Sequence, residues 1–202
     1  MLILWECLKA GLFKVTCQIL YLGSPTFLVA LAQGLFIKYD WFGRLKRPLD
    51  LGMSIRGRRI FGDHKTWRGM VNNLVFCTIG SLAQTWLQGS GNIPSWLPLL
   101  DYKRLGLLLG VLMGLGLTLG ELPNSFFKRQ LGISPGQGGK GPLRVIFFLL
   151  DQLDIAVGIW LLIFVLVKPT LWLILYSFLL TLLLHVTVSA IGYLLGMRKT
   201  IV

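Results

Sequence analysis

The stretch ELPNSFFKRQLGISPGQGGKGPLRVIFFLLDQLD, residues 121–154, decides how the chain is organised. It places a carboxylate, a hydroxyl and a Lys-Arg pair directly after one apolar run, then a glycine-rich loop, and then two aspartates inside the next apolar run. On a helix Asp151 and Asp154 share a face, with Cβ atoms about 5–6 Å apart. Carboxylates in an apolar segment of membrane length are costly and usually face a polar interior. The spacing suits a divalent cation and indicates the catalytic end of a membrane enzyme.

The composition is that of an integral membrane protein. Of the 202 residues, 54% are hydrophobic and 14% are charged, whereas a soluble domain carries about 25% charged residues. We therefore expect an all-α, polytopic membrane protein. Twenty Lys and Arg against eight Asp and Glu give a net charge of +12, which indicates basic cytoplasmic loops and a site for an anionic ligand. A nucleic acid partner is not expected, because the basic residues lie in short loops between apolar runs.

Five apolar runs approach the roughly 20 residues that are needed to cross a bilayer. They cover residues 15–37, 69–87, 105–120, 145–167 and 171–196. Pro25 lies inside the first run, where we expect it to kink the helix. The sequence thus predicts a single membrane-embedded domain, residues 1–202, with about five transmembrane helices.

The connections between these runs differ in charge. Residues 38–68 and 121–144 hold most of the Lys and Arg residues, whereas residues 88–104 are less basic and rich in turns. By the positive-inside rule the two basic connections are cytoplasmic loops. This arrangement predicts an N-terminus outside, a C-terminus inside and a site that faces the cytoplasm, in the cell (plasma or inner) membrane.

The third run is rich in glycine. Its glycines form GxxxG three times, at 106/110, 110/114 and 116/120. Small residues let membrane helices approach closely. We expect this helix to pack at the centre of the bundle. The alternative is a dimerisation face, which would make the protein a homodimer.

Residues 62–69, GDHKTWRG, stand directly before the second run. They are either an interfacial anchor, with Trp67 in the aromatic belt, or a phosphate-binding element in which Lys65 supplies a point charge and Thr66 a donor at a helix N-terminus.

The glycine-rich residues 134–141 are either a phosphate nest or a flexible loop, since they match neither a P-loop nor a dinucleotide fingerprint. His185 is expected to have a polar partner within the bundle.

Asp151 and Asp154 also allow two interpretations. They could balance Lys128 or Arg129 in a purely structural pairing. Keeping two like charges on one face in lipid needs a stronger reason, so metal or phosphate chemistry is favoured.

Three groups of residues, taken together, resemble the CTP-dependent phosphatidate cytidylyltransferase superfamily, and more closely its short branch, the CDP-archaeol synthases. They are KTWRG at 65–69, Glu121 followed by SFFKRQLGI at 125–133, and LDQLD at 150–154. The ending GYLLG at 192–196 is also similar to that branch. Members transfer CMP from CTP to a membrane lipid phosphate with Mg²⁺ and release pyrophosphate.

The resemblance and the residues fit one mechanism, in which phosphoryl chemistry depends on charge neutralisation and alignment. The implied metal ligands are Asp151, Asp154 and Glu121. The implied catalytic residues are Lys128, Arg129, Ser125 and Lys65, and the implied substrate-binding residues are Thr66, Arg68, Gly69 and Asp63. The rival interpretations are a small membrane carrier for an anionic metabolite and a non-enzymatic scaffold. The sequence leaves open whether the lipid is an ether-linked isoprenoid or an acyl phosphatidate.

Three departures from the family pattern stand out. Glu121 occupies a position where the family usually has Asp, so this carboxylate reaches further. Residues 135–139, PGQGG, are similar to the PGHGG of the larger bacterial enzymes but lie further from the aspartates, so that motif's role is not transferred. Ser189 stands where the short branch often has Asn. A partnership between Ser189 and His185 is therefore left open.

Overall fold

The computed structural model describes residues 2–135 and 141–194, and this part of the chain is almost entirely helical. The helices are α1 (Leu2–Gly23), α2 (Pro25–Lys38), α3 (Trp67–Ser90), α4 (Tyr102–Gln130), α5 (Pro142–Val167) and α6 (Leu171–Leu194). The connection between α2 and α3 holds a 3-10 turn, Gly43–Leu45, and a hairpin of β1 (Ser54–Ile55) and β2 (Arg58–Arg59). The predicted all-α membrane fold is confirmed.

The first apolar run is broken where the sequence predicts a kink. Ser24 separates α1 from α2, Pro25 is the first residue of α2, and the two helices meet at 43°. Proline fits the first helical position because its missing N–H would have no partner there. The bend lets α2 pack on α3, where Gly80 meets Pro25 so closely that a Cβ on Gly80 would lie 2.8 Å from the proline Cα.

Helix α4 is the centre of the bundle and packs against both α3 and α5. A Cβ on Gly110 would lie 2.6 Å from the Thr78 Cα of α3, and one on Gly116 would lie 2.7 Å from the Ile159 Cα of α5. Such distances leave no room for a side chain, so glycine is what allows the backbones to approach. The predicted central packing is confirmed, and a homodimer stays a prediction.

Helix α4 is longer than the sequence analysis expected. It continues past Gly120, through Pro123, to Gln130, which corrects the predicted loop 121–144. The charged residues that seemed to end the membrane segment are instead the last turns of the helix, and Lys128 and Arg129 there complement its C-terminal carbonyl groups. The motif at 135–139 lies mostly outside the described residues, as does Lys140.

The number of membrane spans is approximate. Among the described residues, α4 and α5 are long and apolar enough to cross a bilayer, and the bent pair α1 and α2 makes a third candidate. Helix α3 carries buried Asn72 and Gln84, and the apolar part of α6, residues 171–187, is shorter. The five-span count therefore stays a prediction for α3 and α6.

Candidate active site

A cavity of about 640 Å³ lies between α2, α3, α4 and α5, beside the connection that precedes α3. Its polar wall includes Gln33, Lys65, Asn73, Glu121 and Asp151. The rest of the lining is partly apolar, with Phe27, Val29, Met70, Leu117, Leu122 and Ile155. A cavity of this size and mixed lining is typical of a site for a small charged molecule that carries or meets an apolar group.

The crossing of α4 and α5 places polar side chains of α4 against Asp151 and Asp154. A Cβ on Gly120 would lie 2.9 Å from the Gly158 Cα, so the two backbones are in direct contact. One and two turns beyond this contact, α4 presents Asn124 and Lys128 to the face of α5 that carries the two aspartates. The close approach of the two helices is therefore what brings the polar side chains of α4 within hydrogen-bonding distance of the aspartates on α5.

Asn124 links the two aspartates. Its Nδ2 donates to Asp151 Oδ1 at 2.6 Å and to Asp154 Oδ2 at 3.0 Å. The prediction that Asp151 and Asp154 share a face is confirmed, because one amide nitrogen contacts both. Asp154 also accepts a hydrogen bond from the Ile155 N–H at 2.7 Å through Oδ1.

Two lysines are paired with site carboxylates. Lys128 Nζ lies 2.5 Å from each oxygen of Asp151. Lys65 donates to Glu121 across the cavity wall, and both side chains of that pair are about a quarter exposed, at 26% and 29%. The charges that the sequence assigns to phosphates and metal are thus paired with one another.

The structure gives Arg68 a different place. Its side chain is buried, and Nη1 donates to the Asp40 carboxylate at 3.1 Å and to the carbonyl oxygens of Trp41 at 3.2 Å and Phe36 at 3.4 Å. These partners belong to the end of α2 and the turn after it. Arg68 therefore ties that turn to the start of α3 and is not part of the cavity lining.

Of the other predicted site residues, some line the cavity and some do not. Thr66 caps α3, accepting from the Gly69 N–H at 3.2 Å, and both residues line the cavity. Asp63 pairs with Arg59 at 2.7 Å on the surface of the loop. Arg129 donates to the Phe61 carbonyl at 3.4 Å and to that of Ile133, and Ser125 is buried on α4. Asp63, Ser125 and Arg129 lie outside the cavity lining, as do Lys128 and Asp154, which reach it only through Asp151 and Asn124.

The basic connection between α2 and α3 folds around a buried carboxylate, Asp50, which is 1% exposed. It accepts from Arg59 at 2.6 Å and from the N–H groups of Gly52, Phe61 and Gly62 at 2.9–3.1 Å. Burial raises the pKa of Asp50, but the Arg59 guanidinium and the three N–H groups outweigh it and hold this pKa well below its usual range. The connection is thus an ordered structure that presents Lys65 and Thr66 to the cavity.

His185 has the polar partner within the bundle that the sequence predicts. Its Nδ1 lies 2.8 Å from the Gln152 Oε1, on the residue after Asp151. Both side chains line the cavity. The side chain of Ser189 lies outside the described residues, so its relation to His185 stays a prediction.

Comparison with known proteins places the chain in a family. A family model described as CarS-like CDP-archaeol synthase matches residues 19–202. This chain belongs to the CDP-archaeol synthase family. It is 35% identical to the CDP-archaeol synthase of Methanosarcina barkeri over 167 residues, which cover 76% of this chain and 89% of the relative. The enzyme of Methanospirillum hungatei is 38% identical over 159 residues, covering 75% and 87%.

A solved structure supports the fold. A structure described as an intramembrane enzyme for archaeal membrane lipids biosynthesis matches with a TM-score of 0.61 and 24% identity, covering 85% of this chain and 92% of that one. For this member of the CDP-archaeol synthase family, the cavity between α2 and α5 is thus the candidate active site. The sequence analysis missed Gln33, Asn73 and Gln152, because an amide side chain in an apolar run carries no charge signal, and it missed Asn124, because that residue was expected in a loop.

Proposed function

We propose that the chain is a CTP-dependent cytidylyltransferase that transfers CMP to an archaeol-type lipid phosphate, giving CDP-archaeol and pyrophosphate. The observation that carries the proposal is a cavity lined by Lys65, Glu121 and Asp151, in a chain of this family. Beside this cavity Lys128 pairs with Asp151, and Asn124 links Asp151 to Asp154. The carrier alternative is not favoured, because the relatives that match are named as synthases.

In the proposed reaction, an oxygen of the lipid phosphate attacks the α-phosphorus of CTP. The bond from this phosphorus to the bridging oxygen breaks, and pyrophosphate leaves with the electron pair. Catalysis of such transfers rests on holding the reacting groups in line and neutralising their charge. In this proposal Lys65 and Lys128, which are paired with Glu121 and Asp151, would leave these carboxylates and bind phosphate oxygens instead.

The carboxylates fit a magnesium ion. Mg²⁺ prefers oxygen ligands and is usually held by one or two carboxylates together with waters and substrate phosphates. Asp151 and Asp154 converge on one point, the amide of Asn124. Within residues 2–135 and 141–194, no group of three or more His, Cys, Asp or Glu side chains is close enough to hold an ion alone, so Glu121 would act from a greater distance. A bound Mg²⁺ would supply charge neutralisation at the phosphates.

The site is proposed to face the cytoplasm, where CTP is found. Two contacts support a common side for the basic segments: Gln130 donates to the Arg59 carbonyl at 3.3 Å, and Arg129 donates to that of Phe61. The connection between α2 and α3 therefore packs on the end of α4 that leads into the second basic segment. Positive residues gathered on one side predict a cytoplasmic location for both, with the N-terminus outside and the C-terminus inside.

The test is a transfer assay with purified protein in detergent. CTP is supplied with an ether-linked isoprenoid glycerol phosphate, with an acyl phosphatidate, or with no lipid, and pyrophosphate release is followed together with CDP-lipid by mass spectrometry. We expect both products with the isoprenoid lipid and neither without lipid. Absence of pyrophosphate release with every lipid phosphate, in protein that retains its folded state, would contradict the proposed function. Uptake of CTP into vesicles without product would instead indicate a carrier.

A further inference from the structure

The side chain of Asn124 contacts both aspartates, but half of its amide group has no partner. The residue is 8% exposed, and its Oδ1 is buried without a hydrogen-bond partner. Its Nδ2, in contrast, points at two carboxylate oxygens that belong to different residues. The amide nitrogen thus has two acceptors, whereas the amide oxygen has no donor.

An amide flip exchanges these two ends without moving any other group, because the oxygen and nitrogen of an asparagine side chain occupy nearly equivalent positions. After the flip, Oδ1 would lie where Nδ2 lies now, 2.6 Å from Asp151 Oδ1 and 3.0 Å from Asp154 Oδ2. An amide oxygen at these distances from two carboxylate oxygens is repelled by both of them unless a cation lies between. The orientation with Nδ2 towards the carboxylates is therefore the one that suits a protein without the ion.

The two distances from the amide nitrogen to the carboxylate oxygens, 2.6 and 3.0 Å, are close to the spacing of neighbouring ligands in an octahedral magnesium site. Neighbouring ligands at 2.0–2.1 Å from Mg²⁺ and at right angles are about 3 Å apart. Amide oxygens are hard, neutral donors and are suitable ligands for such ions. Asn124 is held in place by the same close crossing of α4 and α5 that positions the aspartates, since it follows Gly120 by one helical turn.

We infer that Asn124 is a metal ligand of this site, with Oδ1 joining Asp151 and Asp154 after the amide turns over. This inference rests on the proposed function, because the ion belongs to that reaction. It adds a neutral ligand from α4 to the two charged ligands from α5. It also assigns two states to one residue: a hydrogen-bond donor that separates the carboxylates when the ion is absent, and an oxygen ligand when the ion is bound.

Metal affinity measured directly tests the inference. Mn²⁺, which reports its own binding by electron paramagnetic resonance, is titrated into purified protein in detergent, with and without CTP. We expect Asn124→Ala to weaken Mn²⁺ binding about ten-fold or more, whereas Asn124→Asp, which restores an oxygen, should bind at least as tightly as the wild type. Asn72→Ala is the matched control: it removes another buried amide whose Oδ1 has no partner, on α3 and outside the cavity lining, where Nδ2 donates to the Val29 carbonyl at 3.2 Å, and should leave Mn²⁺ affinity unchanged.

The opposite order of the variants overturns the inference. If Asn124 serves only as a donor, Asn124→Ala removes a competitor of the ion and leaves Mn²⁺ binding equal or tighter. Thermal unfolding of each variant is recorded, and the near-isosteric Asn124→Asp keeps the test informative if Asn124→Ala fails to fold, because weakened binding in Asn124→Asp also contradicts the inference. Pyrophosphate release by the wild type is measured on the same preparation. Normal release with Mn²⁺ binding insensitive to Asn124 refutes the ligand role and leaves the proposed function intact.

Discussion

Lys128 and Asp151 form an ion pair across the crossing of α4 and α5, with Nζ 2.5 Å from each carboxylate oxygen. The lysine side chain is 11% exposed, whereas that of Asp151 is 45% exposed. Asp154 has no part in this pair and contacts Asn124 and the Ile155 N–H instead. The two aspartates are therefore distinguishable: replacing Asp151 leaves a mostly buried lysine without its partner, and replacing Asp154 leaves the ion pair intact.

The first prediction uses this difference to separate catalysis from structure. Asp154→Asn should abolish nearly all CMP transfer with little change in thermal stability, because it removes the charge that holds the ion and leaves the Lys128 pair in place. Asp151→Asn should lose activity and also lower the melting temperature in detergent, since a buried positive charge is left uncompensated. The double variant should be little less active than either single one, because both residues serve one ion.

Asp101→Asn is the control for this pair of changes. Asp101 caps the start of α4, accepting from the Lys103 N–H at 3.1 Å, so the substitution changes one carboxylate at the end of α4 that lies far from the site. Transfer activity should be retained. A double Asp151→Asn, Asp154→Asn variant that still transfers CMP would refute the mechanism.

The second prediction concerns the two paired lysines. If Lys65 and Lys128 move from carboxylates to phosphate oxygens, Lys65→Ala and Lys128→Ala should each weaken CTP binding about ten-fold or more, since a hydrogen bond to a charged group contributes roughly 1.5–3 kcal/mol. Lys103→Ala, at the other end of α4, should leave CTP affinity unchanged. Calorimetric titration of CTP into the purified proteins measures the effect. Equal CTP affinity in both site variants and the wild type would return Lys65 and Lys128 to a structural role.

The third prediction assigns Arg68 to stability. Its Nη1 donates to two carbonyl oxygens and one carboxylate at the end of α2. In Arg68→Ala the two carbonyl oxygens lose this donor, whereas the Asp40 carboxylate keeps Lys46. We expect a loss of about 2 kcal/mol in unfolding free energy and a melting temperature lower by roughly 4–8 °C. Arg104→Ala is the control, because that side chain is 86% exposed and its removal should change the melting temperature little. A stable Arg68→Ala protein with weakened CTP binding would support the original phosphate assignment instead.

Several parts of the site could be predicted because local geometry determines them. The three-residue spacing of Asp151 and Asp154 sets a shared face on any helix, and Pro25 predicts the break between α1 and α2. The glycines of α4 predict close helix packing, although not which neighbour each of them meets. What these features have in common is that a few consecutive turns of one helix contain all the information.

Asn124 could not be predicted as long as residues 121–130 were assigned to a loop. Once the helix is extended past Gly120, Glu121, Asn124 and Lys128 follow one another at three- and four-residue spacing and lie on one face. The extension was not foreseen because charged residues and Pro123 resemble the end of a membrane segment. The buried place of Asp50 has a different cause: its partners are up to 12 residues away, and no periodic pattern marks a loop that folds around a carboxylate.

The fourth prediction concerns orientation in the membrane. Ser54 lies in the hairpin that precedes the start of α3, whereas Ser90 is the last residue of α3, at its other end. Both residues are exposed. Single-cysteine variants Ser54→Cys and Ser90→Cys, made in a background without other cysteines, form a matched pair. A membrane-impermeant thiol reagent should modify position 90 in intact cells and position 54 only after permeabilisation, because the basic loop is expected inside. Modification of position 54 in intact cells would invert the proposed topology.

The fifth prediction concerns the pH dependence that Asp50 gives to the loop. Because Arg59 and three N–H groups hold the pKa of Asp50 below its usual value of 3.8, the stabilisation is fully present above that value and is lost as pH falls towards the lower pKa of the folded state. Asp50→Asn should therefore melt at a lower temperature than the wild type by a constant amount from about pH 5 to 8, and the difference should narrow below about pH 4. Asp63→Asn, which removes the exposed partner of the same arginine, should shift the melting temperature much less. A difference between Asp50→Asn and the wild type that keeps its full size down to about pH 2 would mean that the charge of Asp50 does not hold the loop together.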